Sequence, residues 1–194
     1  MATRKNTGLT FEKEISESAR VLGLYYHKLV VPIRVSSCFK RTIPLKKNEY
    51  DSFIVHGGHH IGLELKSMAL YQDFPLANIA PEQWAGMDKA LAFGCSMWLL
   101  VNMRRKSPDS KRASDNAVWA IPYTRLKELC AVLPLWRGKP RRSIPLEWFH
   151  DSNWFTPLTR ERHLDILKDR MSPIWNLLPL LRHDTVPSPT EHTS

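Results

Sequence analysis

Residues 50–67 read YDSFIVHGGHHIGLELKS, a short stretch that crowds two acids, a lysine and three histidines around a Gly-Gly pair. Gly57-Gly58 between two β-like runs favours a two-residue turn. Such a turn sets His56 opposite His59, Val55 opposite His60, Ile54 opposite Ile61 and Asp51 opposite Glu64. Directly opposed residues have Cβ atoms about 4.5–5.5 Å apart, so the two carboxylates would repel. A divalent cation between them reverses the sign of that interaction. Hard cations such as Mg2+ prefer oxygen ligands and are held by one or two carboxylates plus substrate phosphates. Strand alternation carries Lys66 onto the face of Glu64, where its ammonium is a positive point charge for an attacking hydroxide or a phosphate. Asp51 with Glu64-x-Lys66 is therefore a candidate site of phosphodiester hydrolysis. Glu-x-Lys alone is common by chance, and what raises it here is the acid across the hairpin. The bland alternative is a surface hairpin with no chemistry.

The histidines carry less. His56 and His59 would make half of a zinc site, but no further Cys/His pair at ligand spacing completes it. They read as decoration of an exposed turn, near a DNA backbone.

The elements around the stretch follow from periodicity. Thr10 is a candidate cap for a first helix, with Glu12 and Glu14 in its opening turn and Phe11, Ile15, Ala19 and Leu22 on one apolar face. Residues 24–35 predict a strand interrupted at Pro32, and 36–49 a basic, irregular connection. PEQWAGMDKALAFG (81–94) starts on Pro and ends on Gly, which predicts a helix. Residues 95–103 are a continuously apolar strand buried on both faces. A polar, basic loop spans 104–116, a strand 117–123, a helix 124–133 and a second basic loop 136–145. Short helical segments are expected at 146–150 and 158–171. The order predicts an α/β fold, a mixed β-sheet flanked by helices. Residues 1–182 are expected to form a single domain, with 183–194 as a disordered tail.

Charge is segregated along the chain. The net formal charge is +9, split as +6 over residues 1–50, −3 over 51–103, +8 over 104–142 and −2 thereafter. Acidic sequence between basic segments suits a protein that attracts a polyanion over metal-binding carboxylates. Lys46, Lys47, Arg104, Arg105, Lys111, Arg112, Arg137, Lys139, Arg141 and Arg142 are the candidate DNA-contacting cations. The three cysteines, Cys38, Cys95 and Cys130, are odd in number and widely spaced, which argues against a disulfide framework. The N-terminus lacks an apolar secretory core, and the longest apolar run is too short to span a bilayer. A cytoplasmic location without a membrane is expected.

DSFIVHGGHHIGLELKSMALYQDFPLANIAPEQ resembles the core of the RecU Holliday-junction resolvases, within the PD-(D/E)xK nuclease superfamily. The matching positions are Asp51, Glu64, Lys66, Phe74-Pro75-Leu76 and Gln83. TGLTFEKEI resembles that family's N-terminal Gly-x-Thr-x-Glu helix, and GKPRRSIPLEWF its basic C-terminal stretch. The resemblance covers roughly residues 7–168. It implies a restriction-endonuclease-like fold, a homodimer, and Mg2+-dependent symmetric nicking of four-way DNA junctions, with Mn2+ as a substitute metal. Asp51 and Glu64 would bind the metal, with the Leu65 carbonyl completing the shell. Lys66 would stabilise the nucleophile or transition state, and Gln83 would position the water or Lys66. Glu12 would be a metal or supporting residue, its alternative being a partner of the helix dipole. Phe74-Pro75-Leu76 would close the path from strand to helix. Tyr50 stands where the family usually has Thr, and the 36–49 connection is shorter than the family's basic stalk. A diverged bacterial or phage-encoded member fits this pattern, with recombinase interaction left open.

Two rivals stand beside the junction resolvase. One is a nuclease of the same fold acting on duplex or branched DNA in restriction or phage genome processing. The other is a non-catalytic DNA-binding protein working through the basic loops 104–112 and 137–142, with Trp136 available to stack on an unpaired base.

Overall fold

The computed structural model describes residues 7–29, 33–36, 41–44, 48–104, 116–132, 135–136, 139–140, 142–151 and 154–182. Helix α1 spans Thr7–Val21. Strands β1 (Tyr25–Lys28), β2 (Ile33–Ser36), β3 (Arg41–Pro44), β4 (Ser52–His56), β5 (His59–Met68) and β6 (Phe74–Pro75) follow. After α2 (Pro81–Ala92) come β7 (Ser96–Arg104), β8 (Asn116–Pro122) and α3 (Tyr123–Val132). The short strands β9 (Leu135–Trp136), β10 (Lys139–Pro140), β11 (Ser143–Ile144) and β12 (Thr156–Leu158) lead to β13 (Arg160–Asp165) and β14 (Arg170–Trp175). Single turns of 3-10 helix occur at Leu76–Asn78, Leu146–His150 and Leu178–Leu181.

Six strands form one sheet in the order β1-β4-β5-β7-β8-β12. Only the β5–β7 pair is parallel. A parallel pair needs a crossover, and α2 supplies it. The sheet is sandwiched between two cores. On one face α2, α3 and the 146–155 segment cover Leu99, Val101, Trp119 and Ile121. On the other, α1 and the β13–β14 hairpin cover Ile54, Leu63, Leu65 and Leu100. This is the mixed sheet flanked by helices that the sequence predicts. Strand β7 is buried from Met97 to Met103, which is why it reads as an unbroken apolar run.

Four expectations are corrected. Helix α1 begins at Thr7 rather than at a Thr10 cap, so Glu12 and Glu14 lie beyond its first turn. The 36–49 connection is not irregular throughout: β2 and β3 pair antiparallel, from Ile33↔Pro44 to Ser36↔Arg41, in a sheet of their own. Residues 158–171 are not helical. They belong to β12, β13 and β14, the last two pairing from Arg160↔Trp175 to Asp165↔Arg170. The second basic loop also contains strand pairs, with β10 on β9 and β11 on β6. The basic loop expected at 104–116 falls outside the described residues from 105 to 115, its ends joined by the Arg104↔Asn116 pair. The tail at 183–194 also lies outside them. No described helix is long and apolar enough to cross a membrane.

Candidate active site

The β4–β5 hairpin has the predicted register, with His56↔His59, Val55↔His60 and Ile54↔Ile61. Gly57 and Gly58 take φ of 56° and 79°, the left-handed values that a two-residue turn of this hand demands and that glycine meets without strain. Regular pairing stops at Ser52↔Leu63, one position before Asp51. The Asp51 N–H donates to the Leu63 carbonyl (3.1 Å), and the Asp51 carbonyl accepts from Leu29 N–H (2.9 Å). The side chain turns back to β5, where Asp51 Oδ2 accepts the Leu65 N–H at 2.7 Å. Asp51 thus ends β4 and holds β5 through its carboxylate.

Glu64 is fully buried on β5. Its Oε1 pairs with Lys66 Nζ at 2.7 Å and also accepts from Gln83 Nε2. Gln83 completes the cluster: its Oε1 accepts from Lys66 Nζ and from the Ala80 N–H, both at 2.9 Å. The second of these contacts is a helix cap, since Gln83 is the third residue of α2 and Ala80 precedes it. One side chain therefore fixes the start of α2 and the head groups of Glu64 and Lys66 together. Glycine makes the approach of α2 feasible. A Cβ on Gly86 would lie 2.4 Å from both the Cβ and the carbonyl oxygen of Glu49, two residues before Asp51. No spacing in the sequence marks Gly86 for this contact.

The electrostatics follow from burial. Glu64 is pushed up to about 8, first by loss of water and then by the Asp51 charge, with Lys66 only partly offsetting them. Asp51 is also raised, mainly by burial and further by Glu12, against the pull of the Leu65 N–H and Lys66. Glu64 Oε2 is buried and has no hydrogen-bond partner among the described residues. A buried carboxylate oxygen without a donor is costly. Two half-compensated acids beside an orphaned oxygen are a donor set suited to a hard divalent cation. Among the described residues no group of three or more His, Cys, Asp or Glu is gathered for a metal. A cation here would therefore rest on two carboxylates, leaving positions for carbonyl, water and phosphate oxygen. Leu65 contributes its N–H to Asp51, and it is the other side of that residue, its carbonyl, that the sequence nominated.

Glu12 reaches the margin of this cluster. Its carboxylate pairs with Lys28 on β1 while its charge is felt by Asp51. It has no part in the first-turn dipole. Lys28 was not nominated by sequence, because its partner on α1 is distant along the chain and follows no local periodicity. Phe74-Pro75 forms β6, pairing with β11 through Phe74↔Ile144, so its part is structural as expected.

Of the nominated DNA-contacting cations, Arg104 is half-buried at the end of β7 and Arg142 is exposed beside β11. Lys139 lies in β10. Lys46, Lys47, Arg105, Lys111, Arg112, Arg137 and Arg141 lie outside the described residues, as does Cys38.

No family model matches the chain, and no curated protein is similar to it. Among solved structures, it is similar to Archaeoglobus fulgidus Hjc, a Holliday junction resolvase from an archaeal hyperthermophile, with a TM-score of 0.38 and 13% identity. The similarity covers 61% of this chain and 78% of that one. A likeness this distant carries no argument about activity.

Proposed function

We propose that the chain is a divalent-metal-dependent endodeoxyribonuclease that resolves four-way DNA junctions by paired, symmetric phosphodiester hydrolysis in recombination or repair. The carrying observation is the orphaned, buried Glu64 Oε2 beside Asp51, with Lys66 at 2.7 Å from the other Glu64 oxygen. A protein that only binds DNA gains nothing from a buried acid set against a half-buried one near a polyanion.

Asp51 and Glu64 would hold Mg2+, or Mn2+ in its place, with the Leu65 carbonyl as a third protein oxygen. When bound, the cation supplies Lewis-acid stabilisation of the phosphoryl oxygens and a lowered pKa for the attacking water. Lys66 would give its ammonium to the developing charge, and Gln83 keeps that ammonium and Glu64 in one orientation. Glu12 tethers Lys28 at the edge of the site and adds negative potential at Asp51.

The preference for a four-way junction is supported by the combined sequence motif and by the net charge of +9. The β2–β3 pair, inserted between β1 and β4 where the resembled family carries its stalk, is shorter than that stalk and does not add to this support. Two symmetric nicks need two sites, which is the reason to propose a homodimer. The proposed setting is the cytoplasm of a bacterium or of a phage-infected host.

The test offers purified protein with Mg2+ a synthetic four-way junction and a matched linear duplex. Two symmetric nicks in the junction, made far faster than any cut in the duplex, are expected. Equal cutting of both would remove the junction preference and leave a general nuclease of the same fold. No cutting with either Mg2+ or Mn2+ would overturn the nuclease assignment.

A further inference from the structure

Four rings lie together on the sheet beside the candidate site. By register, Tyr25, Val55 and His60 form one row across β1, β4 and β5, and His27, Phe53 and Gly62 form the next. Alternation places these rings on one face of the sheet, the face on which β5 also carries Glu64 and Lys66. Phe53 is the hub. Its ring is stacked on His60 at 4.4 Å and 30°, and is tilted against His27 at 5.2 Å and Tyr25 at 6.5 Å.

Cross-strand ring pairs stabilise hairpins by about 0.2–1 kcal/mol each, so a merely structural cluster is the simplest alternative. Exposure argues against it. Tyr25 is 62% exposed and His27 is exposed as well, so half the cluster gains little from burial. Strand β1 is the outer edge of the main sheet, and no described strand pairs with it on that side. Toward the site the row closes over the buried Gly62, where Met97 and the Tyr50 ring leave room for no side chain. A Cβ there would meet Met97 Sδ at 2.2 Å and the Tyr50 ring at 3.3 Å. Glu64 follows Gly62 by two strand residues, about 7 Å at the usual rise, which is about two nucleotide steps along a DNA strand.

We infer that Tyr25, His27, Phe53 and His60 form a stacking platform for an unpaired nucleobase of the DNA strand that enters the Asp51–Glu64 site. The inference rests on the nuclease reading for its choice of ligand and extends it to a subsite. Flat rings hold bases of any identity through their π-faces, and mixing imidazole with phenyl and phenol keeps the platform wettable when empty. A base in an intact duplex is already stacked, so the platform selects DNA that offers a base freed from its pair, as at the centre or end of a branch. The ligand is single-stranded or junction DNA, not a protein.

The test is made in EDTA, with a single-stranded oligonucleotide and a four-way junction each carrying 2-aminopurine at an unpaired or central position. Wild-type protein should quench the 2-aminopurine on binding. The double variant Tyr25→Leu/Phe53→Leu keeps apolar bulk but removes both π-faces. It should bind single-stranded DNA about tenfold or more weakly and lose the quench, while Tyr25→Trp retains both. Melting temperatures accompany every variant. If the double variant fails to fold, Tyr25→Leu alone is read, since that side chain is largely exposed. Unchanged affinity and unchanged quenching in a folded leucine variant would overturn the platform. Because no divalent metal is present, stacking without later cleavage would sink the nuclease reading alone. Cleavage with unchanged binding by the leucine variants would sink the platform alone.

Discussion

The β4–β5 and β13–β14 hairpins each bury a carboxylate almost completely, Glu64 at 0% and Asp165 at 1% exposure, and each has a lysine within 4 Å of it. The two acids end in opposite states. Asp165 is held down at about 2, chiefly by a two-pronged bond to the Arg20 guanidinium at 2.6 and 3.0 Å. Both of its oxygens have donors, and Lys168 adds a second cation at 3.5 Å. Glu64 has donors on one oxygen only, faces a second acid, and is pushed up to about 8. Both are shielded from solvent, but Glu64 is set deeper, so loss of water dominates there and pairing dominates at Asp165. Where the fold needs an anchor between a hairpin and α1 it completes the ion pair. Where the carboxylate is left half-satisfied, the proposed cation would be its missing partner.

The largest expected effect breaks that comparison by reciprocal substitution. Asp51→Asn or Glu64→Gln should lower junction cutting by at least about a hundredfold, because each removes a proposed metal ligand. DNA binding should persist or strengthen, since an acid that repels phosphate is gone. Metal-free melting above about pH 8, where both acids are ionised, should be equal to or above wild type, as one of two like charges is removed. Asp165→Asn should do the reverse. It leaves Arg20 and Lys168 without their shared carboxylate and lowers the melting temperature by several degrees, while cutting by the folded fraction stays near wild type. Loss of cutting in Asp165→Asn at a temperature where it remains folded would collapse the distinction.

A smaller effect, of opposite sign in the two acids, is expected in stability against pH. A folded value of about 8 for Glu64 exceeds its ordinary 4.5, so between those values the folded chain holds a proton that the unfolded chain has lost. Its contribution is full below about 4.5 and is lost as pH rises toward 8, at up to about 1.4 kcal/mol per unit. Asp165 lies below its ordinary 3.8, so its contribution is present above that value and is lost as pH falls toward 2. Urea unfolding in EDTA should therefore show a falling limb between about pH 4.5 and 8 that Glu64→Gln flattens, and an acid limb below about 3.8 that Asp165→Asn flattens. One variant flattening both limbs would show that the two sites are not independent.

The hairpins also differ in how far their sequences disclose them. Gly57-Gly58 between β-branched runs fixes its own turn, and the register through Ile54↔Ile61 follows from it. The last step does not follow, because regular pairing ends before Asp51 and the acid reaches β5 through the Leu65 N–H. In 158–171, Leu164, Leu167 and Met171 fall at helical spacing among helix-favouring Arg, Glu and Lys. In the fold these apolar residues are 56%, 80% and 50% exposed, and the buried positions are Leu158 and Asp165. Periodicity misleads there because the residue that ties the hairpin down is charged and its partner, Arg20, is on α1. The motif residues Glu64, Lys66 and Gln83 were legible because chemistry restricts their types. Gly86 and Lys28 were not, since each matters only through a tertiary neighbour.

The smallest expected effect is the most direct measure of what Glu64 lacks. A cation needs the carboxylate ionised, so at pH 7 its binding must expel a proton that the empty pair retains. Titration with Mg2+ in buffers of different ionisation enthalpy should report close to one proton released per site at pH 7 and almost none at pH 9. Magnesium at ten times its dissociation constant should add about 1.4 kcal/mol of stability, a small upward shift in melting temperature. Glu64→Gln should lose both the shift and the proton release, whereas Asp165→Asn, melting lower throughout, should keep both. Release of no proton at pH 7 by the wild type would mean that Lys66 already holds Glu64 ionised. The two buried acids would then differ in geometry only, and the half-satisfied carboxylate would no longer mark the place of a missing cation.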